Sequence, residues 1–425
     1  MTRPPTRGRV TVVDVPVHLL AFDGLDAPLQ VSDPQIVRPL LDPVMAAWPF
    51  KEISAAQPQS RPPFATIGPV DDQSWRLLAP LAASPVAHHD PVDAICDLVV
   101  EMSWERLRSR PDLLCLHAAA IGFGDHLVIF PNARRAGKSL LTATLAKLGH
   151  AVFSDDFVPV AVEAGTIYGL ANGIAPRLRL PLPPNLPIEL GNWIAAGIDP
   201  ANKRYGYLTG IDLPLSGTKA PIGAVVLLDR EEGRTASALL EPVSDDDAIA
   251  ALVIQNFGRQ VHAGAILSVI AAIATSVPVY RLVYDDVADA AALLHDSPHL
   301  ARLSAATLSS DDHPSTDRPA PLPDALDDQT AAFDPGLRYG RVPGFVEVQT
   351  QAALYLADAQ GRSIHRFNAV SGVIWMLLQD PMRPDDLADA MQEVFADVRR
   401  ARLQEDVVQA MTFLWQQDLI VEAPK

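Results

Sequence analysis

A short apolar run, His126 to Phe130 (HLVIF), passes through the loop NARRAGKS into a helix-forming stretch, Ser139 to Leu148, that stops at Gly149. Strand, glycine-containing loop and helix start, in that order, gather backbone N–H groups and the positive end of a helix dipole around one point, which suits an anion. The order also narrows the fold, because a buried strand handing directly to a packed helix is the repeating step of an α/β sheet. Ala151 to Ser154 reads as the next strand, and Ile222 to Leu228 (IGAVVLL) and Val277 to Tyr284 as later ones. Helices are expected near Asp245 to Phe257 and Ala263 to Thr275, so a central sheet flanked by helices is predicted from His117 onward.

Within the loop, the pattern G-x-x-x-x-G-K-[ST] is met at Gly137, Lys138 and Ser139 and departs at its first position, where Asn132 replaces glycine. Asparagine is among the few residues that visit positive φ, so the turn can survive. Lys138 would reach the β- and γ-phosphates of ATP, Ser139 would ligate Mg2+ through its hydroxyl, and Gly137 lets the backbone approach phosphate. Arg134 and Arg135, followed by Ala136, complete the loop; the arginines either turn to solvent or add charge at the phosphates as an arginine finger does.

Asp155 and Asp156 lie seventeen and eighteen positions after Lys138, and His117 lies twenty-one before it. Two adjacent carboxylates at a strand end can share phosphoryl transfer, one taking a proton from an attacking hydroxyl and the other orienting it or binding magnesium. Without a phosphate loop beside them they would read as a solvated turn. Arg177 and Arg179 alternate on an extended segment and project to one face, as candidates for gripping a phosphate or an acidic peptide, or as a pair of exposed cations. Lys203 and Arg204 carry the same two readings. His150 follows Gly149 and reads as part of the helix end, while His88 and His89 lack metal-ligand spacing.

At 425 residues the chain exceeds what one domain usually takes, and 48% hydrophobic residues with 20% charged supply a sizeable core. Lys and Arg number 34 against 51 Asp and Glu, a formal charge of -17 that argues against non-specific binding to nucleic acid or an anionic membrane. Two cysteines, Cys96 and Cys115, are too few for a disulfide scaffold and read as small buried hydrophobes. With an N-terminus that lacks the apolar block of a secretory signal, they point to the cytoplasm. The most apolar stretch, Ala263 to Val277, falls short of the ~20 residues of a membrane span and reads as a buried helix.

The first 110 residues are Pro-rich and read as short strands such as Val10 to Val15, then a helix from Pro91 to Arg108. Between Ser304 and Asp334, Pro, Ser, Asp and Ala replace the periodic pattern, which marks a linker. Beyond it, strands are expected at Phe345–Gln349, Ala353–Ala357 and Ser363–Phe367, and helices at Ala369–Leu378, Pro384–Phe395 and Leu403–Gln417. Phe367, Ile374, Trp375, Leu378, Phe413, Leu414 and Leu419 are expected to be core, with function on the edge strand and adjoining helix groove, where an extended peptide can add as a strand.

Two resemblances follow. The run LHAAAIGFG, then GKSLLTATLAKLGHAVFSDD, resembles the catalytic core of HPr kinase/phosphorylase and its kinase relatives, as do PRLRLPLP at Pro176–Pro183, NKRYGYL at Asn202–Leu208 and APIGAVVLLDR ending at Arg230. It covers roughly residues 110 to 295. The likeness implies Lys138 and Ser139 on nucleotide and metal, Asp155 as base toward the acceptor hydroxyl, and His117 near that carboxylate; Asp156, the other carboxylate of the pair, is then the expected magnesium ligand. The chain departs from that family at Arg134 and Arg135, where small residues are usual, and has no counterpart of the segment supplying its metal-binding glutamate. The block VQTQAALYLADAQGRSIHRFNAVSGVIWMLLQD and the later FLWQQDLI resemble PqqD, the small winged-helix-like carrier that recognises leader peptides in ribosomally made, modified peptide pathways.

The expected architecture is α/β: an N-terminal α+β subdomain (1–110), an HPr kinase-like P-loop domain (111–303), a disordered linker (304–335) and a PqqD-like winged-helix-type domain (336–425). The expected function is an ATP- and Mg2+-dependent kinase that phosphorylates a side-chain hydroxyl of a precursor peptide. The alternatives are a nucleotide-gated peptide-binding protein without transfer activity and a P-loop ATP hydrolase or sensor. Expected partners are the precursor's leader peptide and other enzymes of a peptide-modification pathway, with no nucleic acid and no membrane. Homo-oligomerisation, the acceptor residue and the choice of ATP over GTP stay open.

Overall fold

The structure, a computed structural model, describes residues 17–54, 61–71, 74–79, 86–131, 137–257, 261–308 and 332–423. The expected strand Val10–Val15, the loop residues Asn132, Arg134, Arg135 and Ala136, and the linker over 309–331 lie outside the described residues. Two compact units form, Met1–Ser109 with Gly173–Ser216, and Arg110–Asn172 with Gly217–Lys425.

The first unit opens with strands β1 (Val17–Phe22) and β2 (Leu29–Ser32), helix α1 (Pro34–Val44), and strands β3 (Phe50–Ile53), β4 (Ala65–Asp71), β5 (Ser74–Leu78) and β6 (Val86–His88). They make a six-stranded sheet in the order β3-β1-β2-β4-β5-β6. Helix α2 (Pro91–Ser109) buries Val92, Ile95, Val99 and Met102 at helical spacing, as the sequence pattern requires.

The second unit begins with β7 (Leu114–Leu116), β8 (Ala118–Phe123), β9 (His126–Pro131), α3 (Lys138–Lys147), β10 (Val152–Ser154), β11 (Val158–Glu163) and β12 (Thr166–Leu170). Leu127 to Phe130 are all fully buried, as a central strand covered on both faces must be. Helix α3 stops where Gly149 takes a φ of 92°, and the His150 N–H reaches back to Leu145 O at 3.1 Å. The chain then returns to the first unit with β13 (Arg177–Arg179), α4 (Ile188–Gly197), β14 (Ile198–Ala201) and β15 (Tyr205–Leu208), a small sheet in the order β13-β15-β14.

Back in the second unit come β16 (Lys219–Arg230), β17 (Leu239–Pro242), α5 (Asp245–Gln255), α6 (Ala263–Ser276), β18 (Val279–Tyr284) and α7 (Val287–His295). The main sheet runs β10-β8-β9-β16-β12-β11-β7, with β18 pairing β16 and β17. β16 lies between β9 and β18 and runs parallel to both, so the C-terminal end of β9 lies at the same end of the sheet as Arg230 and Tyr284. Residues 304–308 stay on this core: Ala306 bonds Ile222 O at 2.7 Å and Leu308 bonds Gly165 O at 2.7 Å.

The C-terminal module has β19 (Tyr339–Arg341), β20 (Val346–Gln349), β21 (Leu354–Ala357), β22 (Ile364–Phe367), α8 (Ala369–Leu377), α9 (Pro384–Val394), α10 (Arg400–Gln416) and β23 (Ile420–Glu422). Its antiparallel sheet β20-β21-β22 and its three helices match the expected elements to within three residues at each end. Six of the seven expected core residues are buried, Trp375 completely. Phe413 is the correction, at 45% exposed. It lies off the buried stripe of α10, which is Leu403, Val407, Met411 and Leu414, and sets its ring edge-on to His365 at 6.0 Å.

Helix α6 explains the most apolar stretch of the chain. Ten of its fourteen residues are buried, because one side packs on the main sheet and another on the module's sheet. One cluster of buried side chains runs from Ile129 and Val225 through Ile266 and Ile270 to Tyr355 and Ala357. Among the described residues, no helix is long and apolar enough to cross a membrane.

Candidate functional site

Gly137 caps α3 with a φ of 88°, a left-handed conformation that glycine adopts without the penalty other residues meet. A Cβ there would also sit 2.7 Å from the Tyr284 hydroxyl, so the position is closed to larger residues by shape as well. Lys138 and Ser139 therefore begin a ten-residue helix whose first turn carries no acidic side chain. That end has a net pull on anions. Lys138 is 9% exposed. Burial holds its ammonium below the ordinary lysine range, and Asp156 and Asp155 pull it part of the way back.

The Ser139 hydroxyl donates to Asp155 Oδ2 at 3.0 Å, which joins the head of α3 to the end of β10. Asp155 is buried, and Asp156 beside it is half-exposed. His117 Nδ1 stands 3.3 Å from Asp156 Oδ1. The imidazole, expected near Asp155, thus lies beside the neighbouring carboxylate of the same aspartate pair. The His117 backbone N–H donates to Gln255 O at 2.7 Å, which ties the residue to the last turn of α5.

Sequence reasoning missed three residues that shape this site. Ser154 bonds the Phe157 carbonyl, receives the Phe157 N–H at 3.2 Å and accepts from Asn172 at 3.0 Å, so the two residues brace the turn carrying both aspartates. A serine directly before an aspartate pair was a readable hint; Asn172 had no local signal. Tyr284, whose hydroxyl burial pushes up to about 12, stays a neutral phenol behind Gly137. Arg177 and Arg179 belong to the other compact unit. They pair in register with Tyr207 and Tyr205, and the Arg177 guanidinium lies 5.3 Å from the Tyr205 ring centre, as Arg204 does at 5.2 Å from the same ring.

The donor set fits Mg-ATP. A helix N-terminus, a nearly buried lysine and an adjacent hydroxyl and carboxylate are what a phosphate chain and a hard, oxygen-seeking cation require. Among the described residues no three His, Cys, Asp or Glu side chains gather as a metal cage. A magnesium ion here would accordingly use Ser139, an aspartate, phosphate oxygens and water.

In the module, β22 is an edge of its sheet among the described strands. Its side chains alternate: Ile364 and Arg366 face the core, while His365 and Phe367 face α10 and Trp375. The half-exposed Phe413 and His365 thus line one side of an open strand edge.

No curated protein matches this sequence. Among solved structures, the Hpr(Ser) kinase/phosphatase from Coxiella burnetii matches with 15% identity and a TM-score of 0.21, over 40% of this chain and 85% of that one. TbiB1, solved in complex with the TbiA(beta) leader peptide, matches with 21% identity and a TM-score of 0.19, over 20% of this chain and 99% of that one. Residues 354–420 match the family described as Coenzyme PQQ synthesis protein D (PqqD), so the module built from β21 to β23 contains a PqqD domain.

Proposed function

We propose that the protein is an ATP-dependent kinase that phosphorylates a side-chain hydroxyl of a ribosomally made precursor peptide, recruited through the PqqD domain. The observation that carries this reading is the Ser139–Asp155 hydrogen bond at the head of α3. Asp155 Oδ2 accepts an alcohol O–H there, which supports reading it as the base toward an acceptor hydroxyl. Magnesium, when bound, would take Ser139 and Asp156 as ligands and neutralise phosphate charge.

Asp155 then receives the acceptor's proton as its oxygen bonds to the γ-phosphorus. The bond between that phosphorus and the β,γ-bridging oxygen breaks, and ADP leaves. Lys138 holds the phosphate chain, together with the loop from Asn132 to Gly137. His117 steadies Asp156. Arg177 and Arg179 are assigned to the acceptor peptide, and the leader to the open edge of β22 and the Phe413–His365 groove, by strand addition. A cytoplasmic setting, in which the buried Cys96 and Cys115 remain thiols, goes with this assignment.

The test is intact-mass analysis of short peptides encoded beside the gene, incubated with the full chain and Mg-ATP. Gain of one phosphoryl group, lost in Lys138→Ala and Asp155→Asn, is expected. Mg-ATP binding with no transfer to any of them would favour a nucleotide-gated binder instead.

A further inference from the structure

Resting on the reading above, we propose that Arg366 and Asp246 form a joint between the peptide-pairing strand β22 and the candidate catalytic site, carried through α5. Asp246, in the first turn of α5, is 7% exposed and is the most heavily bonded carboxylate between the module and the core. It accepts from Arg366 at 2.6 Å, from the Thr350 hydroxyl at 3.0 Å and from the Tyr355 hydroxyl at 3.2 Å, and Tyr355 also donates to its backbone carbonyl at 3.0 Å. All three partners belong to the module. Burial raises the Asp246 carboxyl, and the bonds from Arg366, Thr350 and Tyr355 more than offset that, leaving it below its ordinary range as a carboxylate.

Arg366 is the partner that lies on β22 itself. Its neighbour Ile364 packs with it toward the core, whereas His365 and Phe367 point the other way. The strand edge proposed to take a peptide is thus held on its core-facing side by this ion pair. Two further contacts set the module's place. Ala263 N–H donates to Gly361 O at 2.8 Å, and Gly361, in the turn before β22, lies so close to His262 that a Cβ would overlap the ring.

At its other end, α5 meets the catalytic side. Gln255 O takes the His117 N–H at 2.7 Å, Asn256 bridges Leu116, and Phe257 N–H bonds Cys115 O at 3.1 Å. An eleven-residue helix is about 16 Å long. One rigid element, bonded at both ends, therefore links Arg366 to His117 and through it to Asp156. Arg366 touches no reacting group, and its role is positioning.

The experiment uses the full chain, Mg-ATP as the probe and amide hydrogen exchange as the readout, with Arg366→Ala and Arg366→Lys. In the wild type, Mg-ATP should slow exchange across 364–367 by about threefold, alongside a larger effect in α3. Arg366→Ala should abolish the effect on 364–367 while keeping the thermal stabilisation by Mg-ATP, and Arg366→Lys should restore part of it. The joint is refuted by protection of 364–367 that persists in Arg366→Ala, or by its absence in a wild type that Mg-ATP stabilises. If Mg-ATP stabilises nothing, the nucleotide site is wrong. The joint is then judged without nucleotide: the His117 amide should exchange faster in Arg366→Ala, and equal rates would refute it.

Discussion

Replacing Gly137 with alanine tests the geometry at the head of α3 directly. A φ of 88° places a Cβ in the left-handed region, at a cost of roughly 1–2 kcal/mol for a non-glycine residue. The new methyl would also stand 2.7 Å from the Tyr284 hydroxyl, well inside contact distance. Tyr284 is 1% exposed at the end of β18 and has little room to retreat, so overpacking adds about 1–3 kcal/mol. The sum is about 2–5 kcal/mol, and at about 2–4 °C per kcal/mol for a unit of this size the melting temperature should fall by roughly 4–20 °C.

The two contributions separate in a double-mutant cycle with Tyr284→Phe. Deleting the hydroxyl leaves the ring carbon 3.9 Å from the added methyl, an ordinary contact. The double variant should therefore recover the overpacking part, about 1–3 kcal/mol, as a coupling energy, and retain the φ strain. Differential scanning calorimetry with and without Mg-ATP is the assay. Neither Gly137→Ala nor the double variant should show nucleotide stabilisation, because the φ strain at position 137 remains in both. A Gly137→Ala protein that melts with the wild type, or a cycle with no coupling, would refute the geometry described for the head of α3.

Lys138→Ala should lose the Mg-ATP-dependent melting shift and, since the ammonium it removes is already starved of solvent, change the nucleotide-free melting temperature by no more than about 2 °C. Asp155→Asn should keep that shift and lose phosphoryl transfer by about two to four orders of magnitude, whereas Asp156→Asn should raise the magnesium concentration needed for half-maximal rate; the two are separated by intact-mass kinetics across a magnesium series. Burial holds the His365 imidazole below its ordinary range against the pull of Asp358, so the folded module binds this proton less tightly than the unfolded chain does. Its stability is then full above about pH 6.5 and declines as the pH falls below that; urea melts should show the decline, and His365→Gln should flatten it. Cutting at a protease site introduced within 309–331 should leave residues 1–308 and 332–425 co-migrating on gel filtration, because α6 is shared by both pieces' cores.

Local periodicity carried much of this fold. α3 with its glycine stop, the helix that starts at Asp245, and the module's three strands and three helices each declare themselves within a dozen residues of sequence. The positions that escaped depend on non-local pairing. Nothing near Gly173 announces that the chain returns to the first unit for over forty residues, because a strand pattern reports that one face is buried and not which sheet covers it. Tyr284 reads as the end of an apolar strand, and only the parallel pairing of β16 with β9 and β18 brings its hydroxyl behind Gly137. The nearness of His117 to the aspartate pair was legible in the spacing, whereas the brace that Asn172 gives Ser154 ahead of that pair depends on a pairing eighteen residues apart. Phe413 looked like core because phenylalanine usually is; its helical position faces away from the stripe that is buried.

The all-round apolar character of α6 bears on how the PqqD domain shares a chain with the main-sheet core. A flexible linker alone supplies a peptide at an effective concentration, which falls as the linker lengthens and leaves orientation free. Gly264, whose added Cβ would lie 2.7 Å from Val346, and the small residues that follow it in α6 instead let the module's sheet approach the helix closely. That sheet gives Ala353, Tyr355 and Ala357 to the same buried cluster as the core strands. A helix with one polar face would serve a core that ended there; a helix apolar on both faces has to be covered twice. The sequence of α6 therefore encodes docking of the module as well as the fold of the core, and a peptide paired with β22 as proposed would be held in one orientation relative to α5 rather than only nearby. Orientation of the reacting groups, more than concentration, is where a remote binding contact has most to contribute to transfer.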